Sequence, residues 1–162
     1  MTNKQIIYLG DDQRVVVPIK RAIEKFPTTE LKHLPYYQNF KDYLEFMQLH
    51  SAVLFGEPTL HEPIGQADAV RNDIYPLIFL CGEELSYSQC AKKNRQNVGE
   101  KLVSMWNGKF QRYSPGYLLA NTSSERVPTI SKDTLEAKLS GIISDILKRR
   151  SDLTKKLEGG ST

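Results

Sequence analysis

The sequence predicts an α/β protein in which parallel strands alternate with helices. First, short apolar runs end at Gly or Pro; the strongest, Leu77–Cys81, lies between Pro76 and Gly82. A continuous run of this kind suits a strand buried on both faces of a parallel sheet. Second, stretches with apolar residues at helical spacing lie between these runs and after the last of them, most clearly from Leu135 to Ile146. Alternation of this kind indicates a mostly parallel sheet with right-handed crossovers.

The predicted strands are apolar runs bounded by turn residues. They are, in order, Gln5–Leu9, Leu31–Leu34, Ala52–Phe55, Leu77–Cys81 and Val127–Ile130. Helical faces are predicted over residues 13–26, around Phe40, around Leu102 and from Leu135 onward. We expect Pro18 in the first turn of the first helix, where its missing N–H has no partner to lose. The segment 83–126 holds one helical face, followed by Gly, Pro and Ser residues that indicate loops.

Length and composition indicate one ordinary globular domain. The chain has 162 residues, of which 40% are hydrophobic and 25% charged, and a domain of about 100–200 residues is typical. We place the domain at residues 1–150 and interpret residues 151–162 as a linker, a tail or a cloning remnant. No apolar run approaches the ~18 residues that a bilayer crossing needs, and the N-terminus lacks a signal-peptide core. We therefore expect a cytoplasmic protein with no membrane contact.

Polar residues follow several predicted strands, at the edge where ligands bind in open parallel sheets. Asp11 and Asp12 follow the first strand, and Glu57 follows the third. Cys81 ends the fourth strand, and Lys132 comes shortly after the fifth. Because the carboxyl ends of parallel strands meet at one edge, these three acids, the thiol and the lysine are expected to converge there.

This pattern resembles the receiver domain of two-component response regulators. The resemblance rests on three stretches: Ile6-Ile-Tyr-Leu-Gly-Asp-Asp-Gln-Arg-Val, Pro76-Leu-Ile-Phe-Leu-Cys-Gly, and Ile130-Ser-Lys before an amphipathic helix. It implies a flavodoxin-like, doubly wound, five-stranded parallel sheet. In that family an acid pair after the first strand holds Mg²⁺, and an Asp after the third strand accepts a phosphoryl group from a histidine kinase. A Thr or Ser after the fourth strand and a Lys after the fifth read out the phosphate.

The departures from this family pattern concern the phosphorylation switch itself. Gly56 and Glu57 stand where the family has the acceptor Asp, and Glu places its carboxylate one methylene further out than in-line phosphoryl transfer requires. Cys81 replaces the switch Thr or Ser, and its thiol is a poor hydrogen-bond donor. Asp133 follows Lys132 where the family usually has Pro, and the segment between the fourth and fifth strands is about twice the usual length. The resemblance therefore implies a pseudo-receiver with an enlarged segment.

One subgroup is especially similar, the N-terminal receiver-like domain of flagellar master transcription regulators. In that subgroup the third strand ends in Leu-Gly, and the fourth ends in an apolar run followed by Gly-Glu. The matching stretches are Val53-Leu-Phe-Gly-Glu and Leu77-Ile-Phe-Leu-Cys-Gly-Glu. No P-loop pattern occurs in the chain. The resemblance thus implies a regulatory domain without the ATPase of those regulators.

Each candidate residue has a structural interpretation beside the functional one. Asp11 and Asp12 either cap the first helix or bind Mg²⁺ weakly with bound waters. Glu57 either supplies a permanent negative charge or is an ordinary loop acid. Cys81 either fills the core or is a redox site. Lys132 is either a solvated residue at a helix start or the partner of the acid cluster.

The predicted function is a noncatalytic regulatory module that acts by protein contact, with a protein partner or as a homodimer. Trp106, Phe110 and Tyr113 are the interface candidates, because exposed aromatic side chains dominate interface energetics. We expect no direct contact with nucleic acid and no cofactor apart from weakly bound Mg²⁺. One alternative is a metal-dependent nucleotide- or phosphate-binding protein at the Asp11, Asp12 and Glu57 edge. Another is an active receiver with a displaced acceptor, Asp68 or Asp73.

Overall fold

The computed structural model describes residues 4–46, 75–83, 95–110, 113–121 and 126–159. The described helices and strands follow in chain order: β1 (Lys4–Leu9), α1 (Gln13–Ile23), β2 (Thr29–Leu34), α2 (Tyr37–Phe46), β3 (Ile78–Gly82), α3 (Arg95–Phe110), β4 (Gly116–Leu119), β5 (Thr129–Ile130) and α4 (Leu135–Gly159). A short 3₁₀ turn over Lys132–Thr134 leads into α4. None of the helices in these ranges is long and apolar enough to cross a membrane.

The strands form one five-stranded sheet in the order β2-β1-β3-β4-β5, and every neighbouring pair is parallel. Leu9 of β1 lies beside Leu34 of β2 and Cys81 of β3, and Cys81 lies beside Leu118 of β4. This strand order is that of the doubly wound flavodoxin-like folds. The predicted fold class is therefore confirmed.

Alternate residues of the central strands face two separate hydrophobic clusters, as the period-2 geometry of a strand requires. The cluster on one face contains Ile7, Leu9, Phe79 and Cys81, which pack with buried residues of α2 and α3. The cluster on the other face contains Ile6, Tyr8, Ile78 and Leu80, which pack with buried residues of α1 and α4. Strands buried on both faces explain the near-continuous apolar runs of the sequence.

The assignment of strands differs from the prediction in two places. Ile78–Gly82, which the sequence placed fourth, lies directly beside β1, whereas the predicted strand Ala52–Phe55 lies outside the described residues. Gly116–Leu119, inside the predicted segment 83–126, forms a strand that sequence analysis missed, because four residues next to Pro115 are too few to show a period. The enlargement of that segment stays a prediction, since it includes residues outside the described ranges.

The first and last helices also end at other residues than expected. Helix α1 ends at Ile23, and Pro18 lies in its interior and not in its first turn. An interior proline removes one helical hydrogen bond and costs about 3 kcal/mol; burial of Val15, Ile19 and Ala22 against the sheet offsets this loss. Helix α4 continues through residues 151–159, and the predicted domain boundary at residue 150 stays a prediction.

Candidate functional site

The carboxyl ends of β1, β3 and β5 bring two acids and a lysine together. Lys132 Nζ lies 3.2 Å from Asp12 Oδ2 and 3.6 Å from Glu83 Oε1. The side chains of Asp12 and Lys132 are mostly buried, with 10% and 15% of their area exposed. The lysine therefore bridges the acid that follows β1 and the acid that follows β3.

Asp12 also begins helix α1. Its Oδ1 accepts the backbone N–H of Arg14 at 3.0 Å, as an N-cap residue does. The Arg14 guanidinium donates to both carboxylate oxygens, from Nε at 3.2 Å and from Nη2 at 3.3 Å. The Arg14 side chain, the backbone N–H of Arg14 and the Lys132 ammonium hold the pKa of Asp12 down at about 2, although burial opposes this shift. The carboxylate is thus ionised throughout the physiological range and neutralised by cations of the chain itself.

Among the residues that the structure describes, two of the predicted site residues, Asp12 and Lys132, meet at this edge. Asp12 caps α1 and pairs with Lys132 at once, so its structural and functional interpretations are not exclusive. Asp11 is exposed beside it. Glu57 lies outside the described residues.

Cys81 packs in the core and not at the edge. Its side chain has no exposed area, and its Sγ contacts the Gly82 carbonyl oxygen at 3.8 Å. Helix α3 packs so closely here that a Cβ on Gly99 would lie 3.5 Å from Cys81 Sγ and 2.9 Å from Leu118. This placement matches the core-filling interpretation of the thiol.

The receiver-type fold implies a Mg²⁺ site at this edge, but the residues that the structure describes there do not by themselves fit one. Both oxygens of Asp12 already accept hydrogen bonds from Arg14 and Lys132. Within the described ranges, no group of three or more His, Cys, Asp or Glu side chains is placed to hold a metal ion. Divalent magnesium prefers free carboxylate oxygens and waters, whereas here an ammonium and a guanidinium supply the positive charge.

The expectation that aromatic residues of segment 83–126 form an exposed cluster is wrong for Trp106 and Tyr113. Trp106 has no exposed area, and its Nε1–H donates to the Ser114 carbonyl at 2.6 Å. Tyr113 is 9% exposed. Trp106 shares a helical face with Leu102, and that spacing already indicated an inward orientation. The side chain of Phe110, at the end of α3, lies outside the description.

Sequence reasoning missed three contributors to the edge. Glu83 directly follows Gly82, and inspection of the residue after β3 would have found it. Arg14 follows the predicted cap. The Tyr8 hydroxyl accepts the backbone N–H of Asp12 at 3.0 Å, and its ring stacks on His33 with centroids 5.1 Å apart. An apolar strand pattern carries no signal for this last contact.

Comparison with solved structures shows that the chain has the receiver fold. The RcsB response regulator of Salmonella typhimurium superposes with a TM-score of 0.55 and 11% sequence identity, over 96% of this chain and 69% of that one. The response regulator RPA3017 in red light signalling of R. palustris gives a TM-score of 0.45 at 11% identity, over 86% of this chain and 90% of that one. No protein-family model matches the sequence, and no curated protein matches it.

Proposed function

We propose that this chain is a receiver-fold regulatory module that acts by protein contact, without phosphorylation of an aspartate, in the control of transcription or signalling. The proposal assigns it no catalytic role. Its support begins with the strand beside β1. In the receiver pattern an acceptor Asp follows that central strand, whereas here β3 ends in Gly82 and is followed by Glu83.

The observation that carries the proposal is the ion-pair bridge from Lys132 to Asp12 and Glu83. An active receiver needs these positions for a metal ion and an incoming phosphoryl group. Phosphoryl transfer depends almost entirely on positioning and on charge stabilisation. In the bridge, the Lys132 ammonium is directed at the carboxylates of Asp12 and Glu83, and not at a phosphoryl group. A module with this edge communicates through its surface and needs no covalent switch.

The test is incubation of the full chain with acetyl phosphate and Mg²⁺, followed by intact mass measurement. We expect no gain in mass, while an active receiver treated in parallel gains one phosphoryl group. A phosphoryl gain on this chain would overturn the proposal. The variants Asp68→Asn and Asp73→Asn, at positions outside the described residues, would then show whether a displaced acceptor had taken the group.

The metal-dependent nucleotide-binding alternative finds no support at this edge, because Asp12 is neutralised internally. Two finer parts of the proposal rest on the sequence. The similarity to flagellar master regulators depends on the strand-end stretches, and the cytoplasmic location is an expectation from the sequence alone. Both stay predictions.

A further inference from the structure

The two outer edges of the sheet differ in how readily another strand can pair with them. Strand β5 has only two residues, Thr129–Ile130, and follows the exposed Pro128; a short strand and a proline both disfavour further pairing. Strand β2 has six residues, Thr29–Leu34, and among the described strands it pairs with β1 alone. The outer edge of β2 is therefore the place where this sheet can be extended.

The register of β1 and β2 shows which backbone groups of β2 point outward. The Gly10 N–H donates to the Leu34 carbonyl at 3.0 Å, so Leu34 and every second residue before it bond to β1. The backbone groups of the residues between them, Leu31 and His33 included, point away from the sheet. Outside the β1–β2 ladder, the described residues make no backbone hydrogen bond to Leu31 or His33. These outward N–H and carbonyl groups are what an added strand would bind.

We propose that a second copy of this chain pairs with this edge, β2 against β2, antiparallel about a two-fold axis at Leu31. Leu31 then lies opposite Leu31 of the second copy, and the two residues exchange two backbone hydrogen bonds. The outward His33 N–H donates to the Thr29 carbonyl of the second copy, and two-fold symmetry repeats this bond. Thr29 offers only its carbonyl, because its own N–H donates to Phe26.

The charges of β2 are self-complementary in this orientation. On either side of Leu31, Glu30 lies opposite Lys32 of the second copy, and Lys32 lies opposite Glu30. Cross-strand pairs of opposite charge stabilise a sheet, whereas like charges opposite one another destabilise it. A parallel pairing in register would place each charge beside its own kind, so the charges favour the antiparallel arrangement. A strand of unrelated sequence lacks this match, which favours a second copy as the occupant of the edge.

Contacts within the chain keep both charges close to the edge. Lys32 Nζ lies 5.1 Å from the centre of the Tyr43 ring, and Glu30 Oε1 accepts the Gln5 amide at 3.0 Å. Glu30 and Lys32 are both partly exposed, so a second copy can reach them. A contact made by one short strand from each copy belongs to the small, weak class of interfaces. We therefore expect association that depends on concentration.

This inference rests on the proposed function, because it names a second copy as the partner of the contact module. Its test is sedimentation equilibrium of the full chain over a wide range of concentration, together with amide hydrogen exchange followed by NMR. We expect monomers and dimers at equilibrium, and slower exchange of the Leu31 and His33 amides as concentration rises. The Glu30 and Lys32 amides, which face β1, are the internal control and should exchange at the same slow rate throughout.

Two results would overturn the inference. One is a chain that stays monomeric at every concentration. The other is a dimer in which the Leu31 and His33 amides exchange as fast as in the monomer, since another surface would then hold it. The proposed function is judged separately, by the mass measurement after treatment with acetyl phosphate, and neither of these two results decides it.

Two charge variants test the antiparallel register. Lys32→Glu and Glu30→Lys each place like charges opposite one another at two positions of the homodimer, and we expect each to weaken association by about tenfold or more. When the two variants are mixed, the acidic strand of one faces the basic strand of the other, so we expect association to return. Lys138→Glu and Glu136→Lys, the same charge changes at exposed positions of α4, are the matched controls and should leave the dimer unchanged.

A mixture that associates as weakly as each variant alone would contradict the antiparallel register. Urea denaturation of each variant checks that the fold is retained, because Lys32 contacts Tyr43 and Glu30 contacts Gln5 within the chain. The mixture answers the same question independently, since a strand that had lost its structure would not regain association on mixing.

Discussion

Different interactions stabilise the two ends of the sheet. The segment from Lys132 to Arg150 supplies a cation to each end. At the carboxyl end, just before α4, Lys132 pairs with acids, and Glu83 is 44% exposed. At the amino end, near the end of α4, Arg150 is only 3% exposed. Its guanidinium donates to the backbone carbonyls of Tyr75 and Tyr113, at 3.1 and 2.9 Å, and also to that of Pro76. We call the carboxyl end, where ion pairs join side chains, the adjustable end. We call the amino end, where Arg150 donates to backbone carbonyls, the fixed end.

Side chains of α3 strengthen the fixed end. The Asn107 amide accepts the Gly116 N–H at 2.7 Å and donates to the Gly116 carbonyl at 3.1 Å. It thereby satisfies the first residue of β4, as a neighbouring strand would. The Trp106 Nε1–H donates to the carbonyl of Ser114, just before β4. Because backbone groups cannot exchange partners without refolding, contacts of this kind define structure, while ion pairs between side chains leave room for regulation.

The largest expected effect comes from breaking the fixed end at Arg150. The variant Arg150→Met keeps much of the side-chain volume but leaves buried carbonyl oxygens without their donor. Hydrogen bonds from a charged donor contribute about 1.5–3 kcal/mol each, and we expect a loss of about 3 kcal/mol or more in the free energy of unfolding. Urea denaturation of the full chain measures this loss.

The control for this variant is Arg149→Met, one residue earlier. Arg149 is 53% exposed, and its side chain pairs with Asp145, which is itself 56% exposed. We expect a change within about 0.5 kcal/mol, as for exposed positions in general. Equal losses at positions 149 and 150 would show that the buried guanidinium has no special role.

A smaller effect is expected at Asn107. The variant Asn107→Ala removes both hydrogen bonds to Gly116, and we expect a loss of about 1–2 kcal/mol, reduced somewhat by the higher helix propensity of Ala. Asn121→Ala, at an exposed position after β4, is the matched control. If both variants unfold at the same urea concentration, the Asn107 amide does not stabilise the start of β4.

The parts of the molecule that sequence predicts well are those where many residues carry one signal. The apolar run through Leu80 and the helical face that begins at Leu135 each repeat their pattern over several positions, and both elements are confirmed. The short strand β4 has only four residues and no period, so only its pairing with Phe79 to Gly82 reveals it. A tertiary contact decided its structure, not a local preference.

The candidate site shows the same division. The proximity of Asp12 and Lys132 followed from the rule that parallel strands end at one edge. The position of Glu83 after β3 follows from the same rule, whereas the role of Arg14 depends on side-chain geometry, to which no spacing rule applies. The burial of Arg150 is harder still to predict from the sequence, because a basic residue towards the end of a helix is normally explained by the helix dipole.

The smallest expected effect concerns the adjustable end and its dependence on pH. Asp12 has a pKa of about 2 in the folded chain, below its ordinary value of 3.8. A lowered acid pKa means that Asp12 contributes stability above 3.8 and loses this contribution as pH falls toward about 2. Asp12→Asn still caps α1 but does not titrate. We expect the stability of the native chain relative to this variant to decrease across that window, by less than about 1 kcal/mol, because the Arg14 side chain, the largest cause of the lowered pKa, is 89% exposed and its pairing with Asp12 is screened by solvent.

Arg14 and Lys132 contribute differently to the lowered pKa of Asp12, and substituting each of them measures its contribution. The Arg14 side chain is the largest cause of the lowered pKa, and Lys132 contributes less. Carbon-detected NMR titration of the Asp12 carboxyl should therefore show a larger rise in its pKa in Arg14→Ala than in Lys132→Met. The reverse order would make the Lys132 ammonium, and not Arg14, the dominant partner of Asp12. The expected order would show that Arg14, at the start of the same helix, is the main cause of the low pKa of Asp12, and that the bridge from Lys132 adds to this effect.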